Sequence, residues 1–313
     1  MTLDNHRYDD MKPYVFVTED FGKNWENITG NLPEDFSTYV IKEDPENPNL
    51  LFIGTEEAVH FSYKRGKDWV PLMAKMPTVA IHDLIVHPRE GDLIAGTHGR
   101  SIWILDDISP LRQLHDSILT QPIHLFAGKP ATQWRRINTG RKQPTFEFRG
   151  QNPRYGAPIQ FWIGDSSIDS ISIMIRDPFS EQEVSWRTAV QPGLNRKYWS
   201  YRFPTSTAST VALKSQLTNV VQHLEGVLTS SGHKELLAQV KIDLSNATTA
   251  TELNEIRGLL VEQFSGYAAG RPFFGEKLQP IMAHPGRYQV NLISKKHKTT
   301  GWLNLRADPL LNK

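Results

Sequence analysis

A near-constant repeat runs through the first third of this chain. Tyr39-Val40-Ile41-Lys42-Glu43-Asp44-Pro45 leads into Leu50-Leu51-Phe52-Ile53-Gly54-Thr55. In the same way Leu84-Ile85-Val86-His87-Pro88 leads into Asp92-Leu93-Ile94-Ala95-Gly96-Thr97. Pro45 and Pro88 lie 43 residues apart, and Gly54 and Gly96 lie 42 apart. Each unit is a short apolar strand, an Asp-Pro or His-Pro turn, a second strand and a Gly-Thr stop. A unit of this size cannot bury its apolar faces alone, so stacked neighbours must bury them for one another.

A second signal is interleaved with the first. Thr18-Glu19-Asp20-Phe21-Gly22-Lys23-Asn24-Trp25 matches Ser62-Tyr63-Lys64-Arg65-Gly66-Lys67-Asp68-Trp69, with the glycines 44 residues apart. Both segments follow β-rich runs, Tyr14 to Val17 and Val59 to Phe61. The spacing predicts a tight hairpin turn in each. Gly22 and Gly66 can take the positive φ such a turn needs, and Asp20 can accept backbone N–H groups within it. Trp25 and Trp69 then open the next strand and can pack between sheets. The motif S/T-x-D-x-G-x-x-W is the Asp-box, or BNR repeat. Its second copy carries Lys64 in place of Asp and so lacks the side-chain acceptor. A third unit begins at Gly96 and runs to Leu111 with no Asp-box. Repeats of about 40–45 residues with four short strands are the spacing of β-propeller blades.

On these residues the chain resembles the C-terminal part of large bacterial sortilin-like BNR-repeat proteins, often named glycosyl hydrolases from the repeat. The run HGRSIWILDDISPLRQL, His98 to Leu114, carries the likeness further. So do Pro122 to Phe126, Asn152 to Ala157, Pro192 to Arg196 and Pro285 to Val290. The resemblance covers most of the chain except about 205–270. In that family the run at 98–114 closes the propeller and many more blades come before it. The resemblance therefore implies closing blades, a periplasmic or extracellular setting, and a partner that is a protein, a peptide or missing blades on another chain. Carbohydrate is a further candidate ligand.

The expected fold class is mainly β. Residues 1–115 should form a partial propeller of about two Asp-box blades, and 116–204 the first part of an immunoglobulin- or fibronectin-like β-sandwich. Residues 205–270 should form a helical insertion, and 271–313 the last strands of the sandwich. Ile171 to Asp177 alternates with apolar residues at odd positions, the pattern of a half-buried strand. Pro192 to Arg196 reads as a turn and Lys197 to Phe203 as the next strand. Leu213, Leu217, Val220, Val221, Leu224, Val227 and Leu228 follow helical spacing, as do Leu253, Ile256, Leu259, Leu260 and Phe264. Thr249 and Glu252 have the spacing of a capping box, and Lys234 to Leu244 is a weaker helical run.

Chemistry is sparse. Asp20 reads as a turn staple at a propeller's outer hairpin. Asp106 and Asp107 are adjacent on an extended chain and point to opposite sides, so they cannot face each other across the ~5–9 Å of a glycosidase acid/base pair. His98 and Arg100 flank Gly99, whose backbone can turn sharply, and could face an anion or carboxylate. Alternatively Arg100 bridges blade carbonyls and aspartates such as Asp107. The 11 histidines have no metal-ligand spacing, so no metal and no cofactor is expected. Cysteine is absent, which excludes disulfides and a thiol nucleophile. With 35 Lys+Arg against 34 Asp+Glu there is no basic surplus for a nucleic-acid partner. No apolar run is long enough for a membrane span, and the start MTLDNHRYDD has no apolar core of a signal peptide. The expected role is a non-catalytic binding or scaffold module from a larger propeller protein. The alternative is a fragment of a secreted glycoside hydrolase of sialidase-like type. An open apolar blade face, lined by Phe16, Phe52, Ile53 and Trp69, is expected to make the chain associate.

Overall fold

The computed structural model describes residues 1–72, 76–134, 153–180, 182–228, 231–267 and 274–312. Asn152, part of one resembling motif, and residues 268–270 at the end of the expected helical insertion lie outside them. The fold is mainly β. The chain divides into two compact units, one made of Met1–Pro178, Ser185–Ser200 and Pro285–Lys313, the other of Phe179–Val184 and Tyr201–His284.

The first unit opens with three antiparallel sheets. β1 (Thr2–Asn5), β2 (Asp10–Val17) and β3 (Glu26–Asn27) form the first. β4 (Thr38–Glu43), β5 (Leu51–Thr55), β6 (Val59–Ser62) and β7 (Val70–Pro71) form the second, in that order. β8 (Ile81–Val86), β9 (Leu93–Thr97) and β10 (Ile102–Leu105) form the third. The repeat sets these elements. Gly54-Thr55 and Gly96-Thr97 both end their strands in a turn closed by the threonine, whose hydroxyl donates to Ala58 O at 3.1 Å and to Ser101 O at 2.6 Å. Asp44 caps the turn before β5 by accepting from Glu46 N and Asn47 N, each at 2.9 Å.

The repeat also fixes which faces are buried. In the second sheet Lys42, Phe52 and Phe61 form one cross-strand row, and in the third the register-equivalent row is Ile85, Ile94 and Ile104. Phe52 and Phe61 join a core with Leu84, Leu93 and Ala95 of the third sheet. The other face of the second sheet, Leu51 and Ile53, joins Val15, Ile28, Leu32 and Trp69. The open-face expectation therefore names the wrong residues: Phe52 and Ile53 are fully buried and Trp69 is 3% exposed, because neighbouring sheets cover both sides of the second. Phe16 is half-buried. On the third sheet Ile85, Ile102, Trp103 and Ile104 are exposed.

Two short helices, α1 (Ser109–Arg112) and α2 (Asp116–Leu119), lead to β11 (Ile123–Leu125), β12 (Ala131–Gln133), β13 (Ala157–Ile163), β14 (Ser170–Arg176), β15 (Glu183–Ala189) and β16 (Gly193–Trp199). β11, β13 and β16 pair as one sheet in that order. In β14 the odd residues Ile171, Ile173 and Ile175 are buried, as the alternation requires. The expected turn at Pro192–Arg196 is instead the start of β16: Gly193, at φ +94°, turns the chain and the strand begins there. Tyr201, at φ +63°, then breaks the expected strand at 197–203 into β16 and a separate β17 (Arg202–Phe203).

In the second unit α3 (Thr207–Val227), α4 (Ser231–Asn246) and α5 (Ala250–Phe264) share one core that includes Leu217, Leu224, Val240, Leu253, Leu260 and Phe264. The Thr249 and Glu252 capping box forms at the start of α5. β18 (Ile281–Met282) pairs with β17. Back in the first unit, β19 (Gly286–Ile293) and β20 (Lys298–Ala307) complete a five-stranded sheet of order β12-β20-β19-β14-β15.

Candidate functional site

Asp20 is consumed by its own turn. Phe21 and Gly22 both take left-handed backbone, at φ +58° and +87°. The Asp20 carboxylate accepts from Asn24 N at 2.8 Å and from the Thr18 hydroxyl at 2.9 Å, and that hydroxyl accepts from Gly22 N at 2.8 Å. These hydrogen bonds, the backbone N–H of Asn24 first, hold the Asp20 carboxyl below its ordinary range. The second turn has the same backbone, with Arg65 at φ +55° and Gly66 at +86°. Ser62 Oγ accepts from Gly66 N at 2.9 Å, as Thr18 does from Gly22. Lys64, in place of the Asp, turns outward to Asp116 at 2.9 Å and Asp68 at 3.4 Å. Its ammonium is held charged well above its ordinary range, chiefly by the bond to Asp116.

The tryptophans differ. Trp69 donates its indole N–H to Ile28 O at 3.0 Å and is buried. Trp25 donates to Gly22 O at 3.2 Å within its own turn and is 47% exposed. A Cβ on Gly66 would stand 2.9 Å from the Ile28 side chain, so this close approach requires glycine.

His98 and Arg100 occupy the β9–β10 hairpin, with Gly99 at φ +79° and Ser101 at +66°. They do not converge on one spot. His98 donates its backbone N–H to Ala80 O at 2.9 Å, and its ring lies 5.2 Å from that of His82. His82 in turn stacks on Tyr39, ring centres 4.6 Å apart and 12° from parallel. Burial, then the charges of Glu56 and Asp4, raise the Tyr39 phenol above its usual range. Arg100 is exposed at the hairpin tip, where its carbonyl accepts from Trp103 Nε1 at 2.9 Å. Among the described residues its guanidinium has no hydrogen-bond or ion-pair partner.

Asp106 and Asp107 diverge. Asp107 is buried at φ +55°, and its carboxylate accepts from Gln160 Nε2 at 2.7 Å and from Ser109 N at 3.2 Å. Its own N–H donates to Asp92 Oδ1 at 2.8 Å. The arginine that bridges carbonyls here is Arg196, not Arg100: its guanidinium donates to Asp106 O at 2.7 Å, Asp107 O at 2.9 Å and Gln160 Oε1 at 2.9 Å. Asp106 is half-buried; burial, then the nearby Asp92 carboxylate, push its carboxyl up against the pull of Arg196 and Lys129. This cluster joins the third sheet to β13 and β16. Gln160, Arg196 and Asp92 were not singled out from sequence, since each meets Asp107 only through the fold. Tyr39 and His82 could have been found, because they are 43 residues apart and occupy the same place in successive repeats.

Among the described residues no group of three or more His, Asp or Glu side chains could hold a metal ion. No helix among the described residues is long and apolar enough to cross a membrane. No family model and no curated protein matches the chain. Among solved structures, the extracellular domain of a putative one-component system from B. thetaiotaomicron aligns over 99% of this chain and 31% of that one, at 10% identity and a TM-score of 0.25. The chain thus spans about a third of that protein's length, and likeness at this level carries no argument about fold or function.

Proposed function

We propose that this chain is the closing part of a β-propeller of the sortilin-like BNR-repeat type, joined to an immunoglobulin-like sandwich that carries a helical insertion. Its role is binding or scaffolding, without catalysis, and its partner is a protein or peptide in a periplasmic or extracellular setting. The observation that supports this most is the pair of Asp-box turns, 44 residues apart, with matching left-handed backbone and the same hydrogen bond from the glycine N–H to a hydroxyl oxygen. Two of the carboxylates that stand out in the sequence are held in structural hydrogen bonds. Asp20 closes its turn and Asp107 is bound by Gln160 and Ser109. A free acid/base pair needs two carboxyls facing one cleft.

The test is turnover of sialyl and other aryl glycosides by the purified protein. Release at the uncatalysed rate agrees with a binding role. Release well above it, lost in Asp20→Asn or Asp106→Asn, would overturn the reading and favour the glycoside hydrolase.

A further inference from the structure

We propose that β10 is an interaction edge through which two copies of this chain pair antiparallel. In the first two sheets the strand that leads into the glycine turn is flanked by a further short strand: β3 lies on β2 and β7 lies on β6. In the third sheet β10 takes the place of β6 and, among the described residues, ends the sheet. It reads Ile102-Trp103-Ile104-Leu105, with Ile102 at 69% and Ile104 at 60% exposure. Natural sheets blunt such an edge with charge, proline or a bulge, and the strand itself carries neither a charge nor a proline.

Charge selects the partner. The apolar run is flanked by Arg100 on one side and Asp106 on the other. Neither the Arg100 guanidinium nor the Asp106 carboxylate has a hydrogen bond among the described residues. Antiparallel pairing of two copies centred on Trp103 sets Ile102 against Ile104 and brings Arg100 of each copy to Asp106 of the other. A strand with a cation before it and an anion after it is self-complementary only in this direction. Directly opposed residues within such a pair lie about 4.5–5.5 Å apart, which puts Ile102 in contact with Ile104, while the long Arg100 side chain at the hairpin tip reaches toward Asp106 just beyond the other strand's end. Pairing also removes Ile102 and Ile104 from water and supplies the unpaired strand edge with hydrogen-bond partners. The pairing does not depend on the propeller reading.

The test is sedimentation velocity over a concentration series on the full chain, with melting followed in parallel. Wild type should pass from monomer to dimer as concentration rises. Ile104→Lys should be monomeric with an unchanged melting temperature, since the residue is exposed. Arg100→Glu, which puts like charges at both ends of the pair, should weaken dimerisation by roughly tenfold or more, and Arg100→Glu with Asp106→Lys should restore it. A wild type that stays monomeric throughout overturns the proposal. So does self-association unaffected by Ile104→Lys or Arg100→Glu, or a correctly melting double variant that fails to recover.

Discussion

Asn31 grips the backbone of Trp69 from both sides. Its side-chain oxygen accepts from Trp69 N at 2.6 Å, and its amide donates to Trp69 O at 3.1 Å. The two residues lie in successive repeats, so one side chain from the first holds the strand that opens after the turn at Gly66. Asn31→Ala should cost about 1–2 kcal/mol. Asn31→Asp, which keeps the acceptor and loses the donor, should cost less. Urea unfolding at pH 7 measures both.

The tryptophans that follow the two glycine turns should respond very differently. Trp69 sits in the core between the first and second sheets, so Trp69→Ala should cost about 3–5 kcal/mol. Trp25 holds the matching sequence position but is half-exposed, and Trp25→Ala should cost less than about 1 kcal/mol. Equal losses would mean that sequence position, not the neighbouring repeat, decides what these residues do.

Burial lowers the pKa of His60, which lies on β6 beside Ile53. The folded protein resists the proton that the unfolded chain accepts below about 6.5. Protonation of His60 therefore costs no stability above that pH and progressively more as pH falls below it. Melting temperature should drop between pH 7 and pH 5 in wild type, and the drop should shrink in His60→Leu. An identical drop in both would assign it to other groups.

Asp107 takes a left-handed backbone that favours Gly, Asn and Asp. Asp107→Asn keeps that conformation and an acceptor for Ser109. Asp107→Ala loses both and leaves the buried Gln160 Nε2 without its acceptor. The alanine variant should lose about 2–3 kcal/mol and the asparagine variant about half of that. Chemical denaturation of the two variants against wild type reads the difference.

Short-range features of this fold were legible in the sequence. The Gly54 and Gly96 stops, the alternation at Ile171–Ile175 and the Thr249 capping box each depend on neighbours within a few residues. Lys64 was legible only as a lost acceptor, because its partner Asp116 is brought to it by α2. The same holds for Asp44, whose carboxylate is gripped by Arg112 Nε at 3.0 Å across 68 residues. The joint at Asp107 was misassigned to Arg100 for a physical reason: an arginine near in sequence competes with one that β16 delivers from 89 residues away. The buried state of Phe52 and Ile53 was missed because exposure was inferred from blade number, whereas both faces of the second sheet are covered.

Stacking of one repeat on the next is best measured between Phe52 and Leu84. They belong to successive sheets and are fully buried in one core. In a double-mutant cycle, Phe52→Leu and Leu84→Val should couple by about 0.5–3 kcal/mol, because each loosens the packing the other relies on. Losses that add within about 0.3–0.5 kcal/mol would mean that the second and third sheets do not share a core, and the repeat array described here would not stand.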